Sequence, residues 1–156
     1  YHRMTAYEAS FVKYTINSFL STKITFFNQL YDLVNLYGCN YNTIVRAAGK
    51  DDRVGMGHTR VPGFDGKRGF GGACLPKDTR AFLEFSTHEF EDGTGTSFDL
   101  LEKVLDINSA YRVQYTLDER EKVNNITFVD FGGKNVNNEQ TEEELEDKGD
   151  SDTIDE

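Results

Sequence analysis

From Thr5 to about Tyr37 the chain has neither proline nor glycine, and apolar residues recur at Phe11/Val12, Phe19/Leu20, Ile24, Phe27, Leu30/Tyr31 and Val34. That spacing follows one face of a helix. If the helix is continuous, about 33 residues at a rise of 1.5 Å make roughly 50 Å, more than a domain of this size is wide. Its aromatic load (Tyr14, Phe19, Phe26, Phe27, Tyr31, Tyr37) admits two readings: a partner subunit or further domain covers it, or it is the central helix of its own bundle. Gly38 is a natural stop, and Asn42 is expected to cap a short helix from Thr43 to Ala48 that Gly49 ends. From Lys50 to Leu75 glycines recur without helical periodicity, which predicts a long loop. A helix is predicted from about Lys77 to Thr87. After the turn signal Glu91-Asp92-Gly93-Thr94-Gly95, Ser97 is expected to cap another helix reaching about Gln114, with Phe98, Leu101, Val104, Leu105 and Ile107/Asn108 on one side. Ile126 to Phe131 reads as a single strand followed by a glycine turn. The expected fold is therefore mainly α, built on one long helix with a long Gly-rich loop. Its expected boundaries are a helical domain over residues 1–117, a strand and linker over 118–138, and a tail over 139–156.

Charge separates the tail from the body. The 156 residues sum to a formal charge of -10. Between Glu139 and Glu156 stand ten acids and one lysine, a net of -9, so the rest sums to about -1. The tail has too few apolar residues to offset ordering entropy and is expected to be disordered. Without clustered Lys and Arg, nucleic acid is not an expected partner. Cys39 and Cys74 form no disulfide framework, and their spacing with His2, His58 and His88 matches no zinc site. Reduced thiols point to a cytoplasmic setting. No apolar run reaches the roughly 18 residues of a membrane span, and no signal sequence opens the chain. Tyr1 in place of an initiating Met gives the sequence the look of a fragment.

The candidate chemistry is gathered in Gly69-Phe70-Gly71-Gly72-Ala73-Cys74-Leu75-Pro76-Lys77-Asp78. The glycines allow a backbone to approach a ligand closely, and Cys74 puts a thiol beside it. Pro76 suits a helix entrance; Asp78 offers an acceptor for free amides and a carboxylate near the positive helix end. The plain alternative is a glycine turn beside a small buried cysteine. Lys13 and Asn17, four apart on the long helix, share a face and can point at one atom. A cation and an amide N–H aimed together would suit an oxyanion growing next to a thiol adduct. The alternative for them is a solvated polar face.

The Gly69–Asp78 string fills every fixed position of G-F-G-G-x-C-x-P-K-D, the catalytic-cysteine motif of the UDP-glucose/GDP-mannose dehydrogenase family, and the chain resembles that family's central domain. The segment from Glu8 to Leu20 resembles the family helix that carries K-x-x-x-N-x-F-L. Asp51-Asp52-Arg53-Val54-Gly55 is similar to D-x-R-I-G. The three blocks fall in order over about Ala6 to Phe82. The fold implied is the helical dimerisation domain similar to the C-terminal-like domain of 6-phosphogluconate dehydrogenase.

The resemblance implies oxidation of the C6 alcohol of a nucleotide sugar to a carboxylate with two NAD. Cys74 would attack the C6 aldehyde to give a thiohemiacetal, then a thioester that water opens. Lys13 and Asn17 would stabilise the C6 oxygen, and Asp78 would orient Lys13 and help to position or deprotonate the water. Phe70, Gly71 and Gly72 would line the sugar, with the Gly71 and Gly72 amides approaching it. Arg53 would reach the substrate of a neighbouring subunit in a homodimer paired through the long helix. Lys67 and Arg60, in the basic segment from Met56 to Arg68, are candidate diphosphate contacts, with a plain flexible loop as the alternative. No G-x-G-x-x-G follows a strand, so NAD is expected on a domain outside this chain, and the polypeptide alone is not expected to turn over. UDP-glucose is the preferred substrate and GDP-mannose the second. Competing with the enzyme reading are a non-catalytic dimerisation module and, remotely, a kinase-type phosphate loop, which lacks the G-K-[ST] ending.

Overall fold

The computed structural model describes residues 3–87 and 96–129. It is mainly helical, with five helices and no strand among the described residues: α1 (Ala6–Leu36), α2 (Tyr41–Ala48), α3 (Leu75–Ser86), α4 (Asp99–Arg112) and α5 (Glu119–Val123). The expected turn at residues 91–95 and the acidic tail at 139–156 lie outside those residues.

The predicted long helix is present. Thr5 opens α1 with a capping box: its side chain accepts from the Glu8 N–H, and the Glu8 carboxylate accepts from the Thr5 N–H at 2.6 Å. Its 31 residues span about 47 Å at 1.5 Å each. Only part of the apolar pattern is buried within the chain. Phe27 and Val34 are buried and pack with Tyr41 and Val45 of α2, supported by Leu30, Tyr31, Ile44 and Val61. Phe11, Val12 and Phe19 are instead exposed, and the inner face there carries Ser18, Ser21 and Thr25, all buried. Small side chains let α3 come close: the Ser21 and Thr79 hydroxyls share a hydrogen bond of 2.8 Å between two buried residues. Near the N-terminal end of α1, Tyr14 stacks on Phe82 of α3 with centroids 5.7 Å apart, and Phe11 and Phe98 meet the same ring edge-on.

Several expected boundaries are corrected. Asn40, not Asn42, caps α2, accepting from the Thr43 N–H at 3.2 Å; this brings Tyr41 into the helix, where it is buried. α3 starts at Leu75, two residues before the expected Lys77, with Pro76 in its first turn. Ser97 does not cap α4. Its hydroxyl bonds to the Asp99 carboxylate, the cap position falls on Phe98, and the helix ends at Arg112 rather than near Gln114. Ile126–Val129 forms no strand: Ile126 and Phe128 are buried and Thr127 exposed, a period-two pattern, but no second strand among the described residues offers a ladder. Phe128 lies under the Arg112 guanidinium of α4. α5 was not anticipated; Asp118 caps it in a capping box with Glu121.

Candidate functional site

Asp78 is the centre of the site. It lies in the first turn of α3, its side chain is 4% exposed, and it faces α1 across the small-residue contact described above. Asn17 Nδ2 donates to Oδ2 at 2.6 Å and Lys13 Nζ donates to Oδ1 at 3.2 Å. Residues 61 and 65 positions away in sequence thus converge on one carboxylate. Asp78 does not cap free amides as the sequence suggested; its oxygens go to these two side chains, with Lys77 Nζ at 3.7 Å as a further cation. The Asp78 carboxylate, through its hydrogen bond and then its charge, holds the Lys13 ammonium above its ordinary value, with Tyr14 and Cys74 adding smaller contributions. Lys13 therefore stays cationic at neutral pH. It also keeps N–H groups beyond those aimed at Asp78, and its side chain is 57% exposed.

Cys74 stands at the N-terminal cap of α3, four residues from Asp78, as an exposed free thiol. The Gly-rich run before it turns through two left-handed glycines, Gly69 at φ +71° and Gly72 at φ +75°. A side chain is costly at such angles.

Beside the run lies a cleft of about 500 Å³, within the size range of ligand pockets. Phe70, Gly71, Gly72 and Leu75 line it together with His58, Arg60, Phe64 and Arg120. Arg60 sits on the Phe64 ring, 4.8 Å from its centroid. Lys67 is turned elsewhere: its Nζ donates to the Thr116 carbonyl at 2.5 Å and stands 3.9 Å from Glu121. Arg53 is outside the cluster, on an exposed turn, where it pairs with Asp51 at 2.6 Å. The structure thus joins Lys13, Asn17 and Asp78, places Cys74 one helical turn before Asp78, puts Phe70, Gly71, Gly72 and Arg60 along the cleft beside the glycine run, and leaves Lys67 and Arg53 engaged elsewhere. Among the described residues no three or more His, Cys, Asp or Glu side chains gather as a metal site.

Sequence reasoning missed the residues that surround the glycine run from behind. Asn28 of α1 accepts from the Gly69 N–H at 3.0 Å and from Arg68 Nε at 2.8 Å. Arg68 also bonds Asp32 at 2.7 Å and is sandwiched between the Tyr31 and Tyr111 rings. Asn108 and Arg112 of α4, with Glu121 of α5, complete that wall. Asn108 on the predicted apolar side of its helix was a usable signal, as was the Asp118-x-x-Glu121 capping-box spacing. Nothing in the sequence pairs Arg112 with Glu121.

Residues 7–110 match the UDP-glucose/GDP-mannose dehydrogenase family, central domain. The UDP-glucose 6-dehydrogenase TuaD of Bacillus subtilis is 34% identical over 105 residues, which cover 67% of this chain and 21% of that protein. A UDP-glucose 6-dehydrogenase of Pseudomonas aeruginosa is 39% identical over 85 residues, 54% of this chain and 18% of that protein. One from Rickettsia prowazekii is 31% identical over 119 residues, 76% of this chain and 26% of that protein. The matches thus span about a fifth to a quarter of the length of these relatives. The family match covers two thirds of the chain, and the chain belongs to this family.

Proposed function

We propose that this chain is the thiol-bearing central domain of an NAD-dependent nucleotide-sugar 6-dehydrogenase, with UDP-glucose as substrate. The observation that carries the reading is the convergence of Lys13 and Asn17 on Asp78 at the end of α3 that begins with the exposed Cys74. The relatives named above are UDP-glucose 6-dehydrogenases, which favours UDP-glucose over GDP-mannose.

The step assigned to these residues is addition of Cys74 Sγ to the C6 aldehyde of the sugar. The carbon–sulfur bond forms, the carbonyl π bond breaks, and the oxygen ends as the hydroxyl of a thiohemiacetal with the thiol proton. Negative charge grows on that oxygen during the attack. The remaining N–H groups of Lys13 and Asn17 are the donors for it, and Asp78 holds both side chains so that little reorganisation is needed. For later opening of a thioester, Asp78 is the nearby carboxylate to position water.

NAD finds no fit among the described residues. A dinucleotide site needs a strand, a glycine turn and a helix N-terminus in sequence, and these residues contain no strand. No hydride step is assigned to them, and the chain alone is inactive on this reading. Homodimerisation through α1 is part of the proposal. Val12, Ile16, Phe19, Phe26 and Leu33 of α1 and its C-cap Tyr37 are exposed at spacings of four, three, seven, seven and four, an apolar stripe along one side of the helix. Arg53, 89% exposed at its side chain, would have to exchange its pairing with Asp51 for the substrate of a neighbouring subunit. The same stripe supports the second reading, a dimerisation module without catalysis.

The test is to combine the chain with an NAD-binding domain from a related enzyme, add UDP-glucose and NAD, and follow NADH. NADH formation that is lost in Cys74→Ala supports the enzyme. Activity surviving that substitution rejects the thiol mechanism, and a dimer that neither binds UDP-glucose nor forms NADH leaves the module.

A further inference from the structure

The backbone of the glycine run is held by side chains that the proposed chemistry does not use. Asn108 meets Phe70 with both ends of its carboxamide: Oδ1 accepts from the Phe70 N–H at 2.7 Å, and Nδ2 donates to the Phe70 carbonyl at 2.9 Å. It substitutes for a strand partner at a residue that has none. Glu121 Oε1 accepts from the Gly72 N–H at 2.9 Å and from Arg112 Nη2 at 2.5 Å, while Oε2 accepts from the Asp118 N–H at 2.8 Å. Asn108, Arg112 and Glu121 are all about 1% exposed or less. The fit is close: a Cβ built on Gly69 would overlap Asn108, and one on Gly71 would overlap Arg112 and Glu121. The Gly72 amide, expected from sequence to approach the sugar, is therefore already engaged by a protein carboxylate.

We propose that Asn108 and Glu121 are positioning residues that fix the Phe70–Gly72 backbone and so set where the Cys74 thiol stands relative to Lys13. Between Gly72 and Cys74 there is one residue, so a rotation at Gly72 moves the sulfur directly. In Asn108→Asp the oxygen that receives the Phe70 N–H is kept, but an acceptor replaces the donor facing the Phe70 carbonyl. In Glu121→Gln the shape is kept, the charge facing Arg112 is lost, and a donor is brought toward donors.

The inference rests on the role given to Cys74 above, but its test reads geometry without NADH. The chain is treated with limiting iodoacetamide at neutral pH, and alkylation of Cys74 is divided by alkylation of the exposed Cys39 in the same molecules. In both variants the ratio is expected to fall roughly fivefold, because a displaced Sγ changes its access to the reagent and its placement relative to the Lys13 ammonium. General loosening of the fold lowers the melting temperature without lowering this ratio. An unchanged ratio in folded variants overturns the proposal. Should the variants fail to fold, amide exchange in the unsubstituted chain decides: Phe70 and Gly72 amides protected far beyond the free-peptide rate support it, and exchange at that rate overturns it. A failed NADH assay with an altered ratio would reject the enzyme reading and leave the positioning intact.

Discussion

Replacing Arg112 by Met removes one side of an ion pair whose two side chains are each 1% exposed. The methionine fills much of the volume, so the cost is mainly electrostatic. Glu121 is left buried without its guanidinium partner, and losing one partner of such a pair costs about 3–5 kcal/mol. Two features push the value to the low end. Glu121 retains the Gly72 and Asp118 N–H groups at 2.9 and 2.8 Å, and Asp65, which also pairs with Arg112 at 2.7 Å, can turn to water because its side chain is 32% exposed. Loss of the contact between the guanidinium and the Phe128 ring, centred 5.5 Å away, adds about 0.5–1 kcal/mol. The expected total is about 3–4 kcal/mol, or a fall in melting temperature of roughly 10 °C for a domain of this size. Urea unfolding followed by far-ultraviolet circular dichroism measures it, since the chain has no tryptophan. The double variant Arg112→Met with Glu121→Gln should cost less than the sum of the singles, by about 2 kcal/mol, because no charge is then stranded. A single variant costing under about 1 kcal/mol, or a double variant equal to the sum, refutes the buried-pair argument.

Three further outcomes are expected. Burial pushes the Asp65 carboxyl up, but Arg112 and the Lys67 N–H outweigh it and hold the group below its ordinary value of 3.8; the associated stability is present above that value and lost as pH falls through the lower folded value, so Asp65→Asn should flatten the acid limb of a stability curve. Burial pushes Tyr41, whose hydroxyl donates to the Thr59 carbonyl at 2.6 Å, up to about 12; its contribution is present below the ordinary value of 10.0 and lost as pH rises through about 12, and Tyr41→Phe should remove one late-titrating phenol from the absorbance at 295 nm. Phe26→Asp, at an exposed position on the α1 stripe, should convert a dimer to a monomer in sedimentation equilibrium without lowering helix content; a dimer that persists argues against pairing through that face.

The sequence revealed what depends on local rules. The long helix followed from a stretch free of breakers, and the meeting of Lys13 with Asn17 on one face followed from their spacing of four. Both polar residues do lie where α3 can reach them. What was not legible depends on distant pairing. The apolar period of α1 left two readings open at Phe11, Val12 and Phe19, because periodicity cannot distinguish a face that packs within the chain from one left exposed; there the inner face is small and polar. Asn40 and Asn42 are equally good caps by type; burial of Tyr41 decides between them. The strand expected at 126–131 failed over its described part because alternation gives a two-faced segment, while a strand also needs a neighbour. The wall behind the glycine run comes from residues 28, 108, 112 and 121, and their proximity is a product of the fold.

One helix carries both grips on the site. Asn17 reaches Asp78, and eleven residues later Asn28 takes the Gly69 amide, so α1 acts as a ruler of about 17 Å between the carboxylate and the loop. The two marks are locked in phase as well as in distance. Inserting a single residue between them would lengthen the interval by only about 1.5 Å but turn one mark by about 100° against the other. This interval therefore tolerates substitution far better than any change in length.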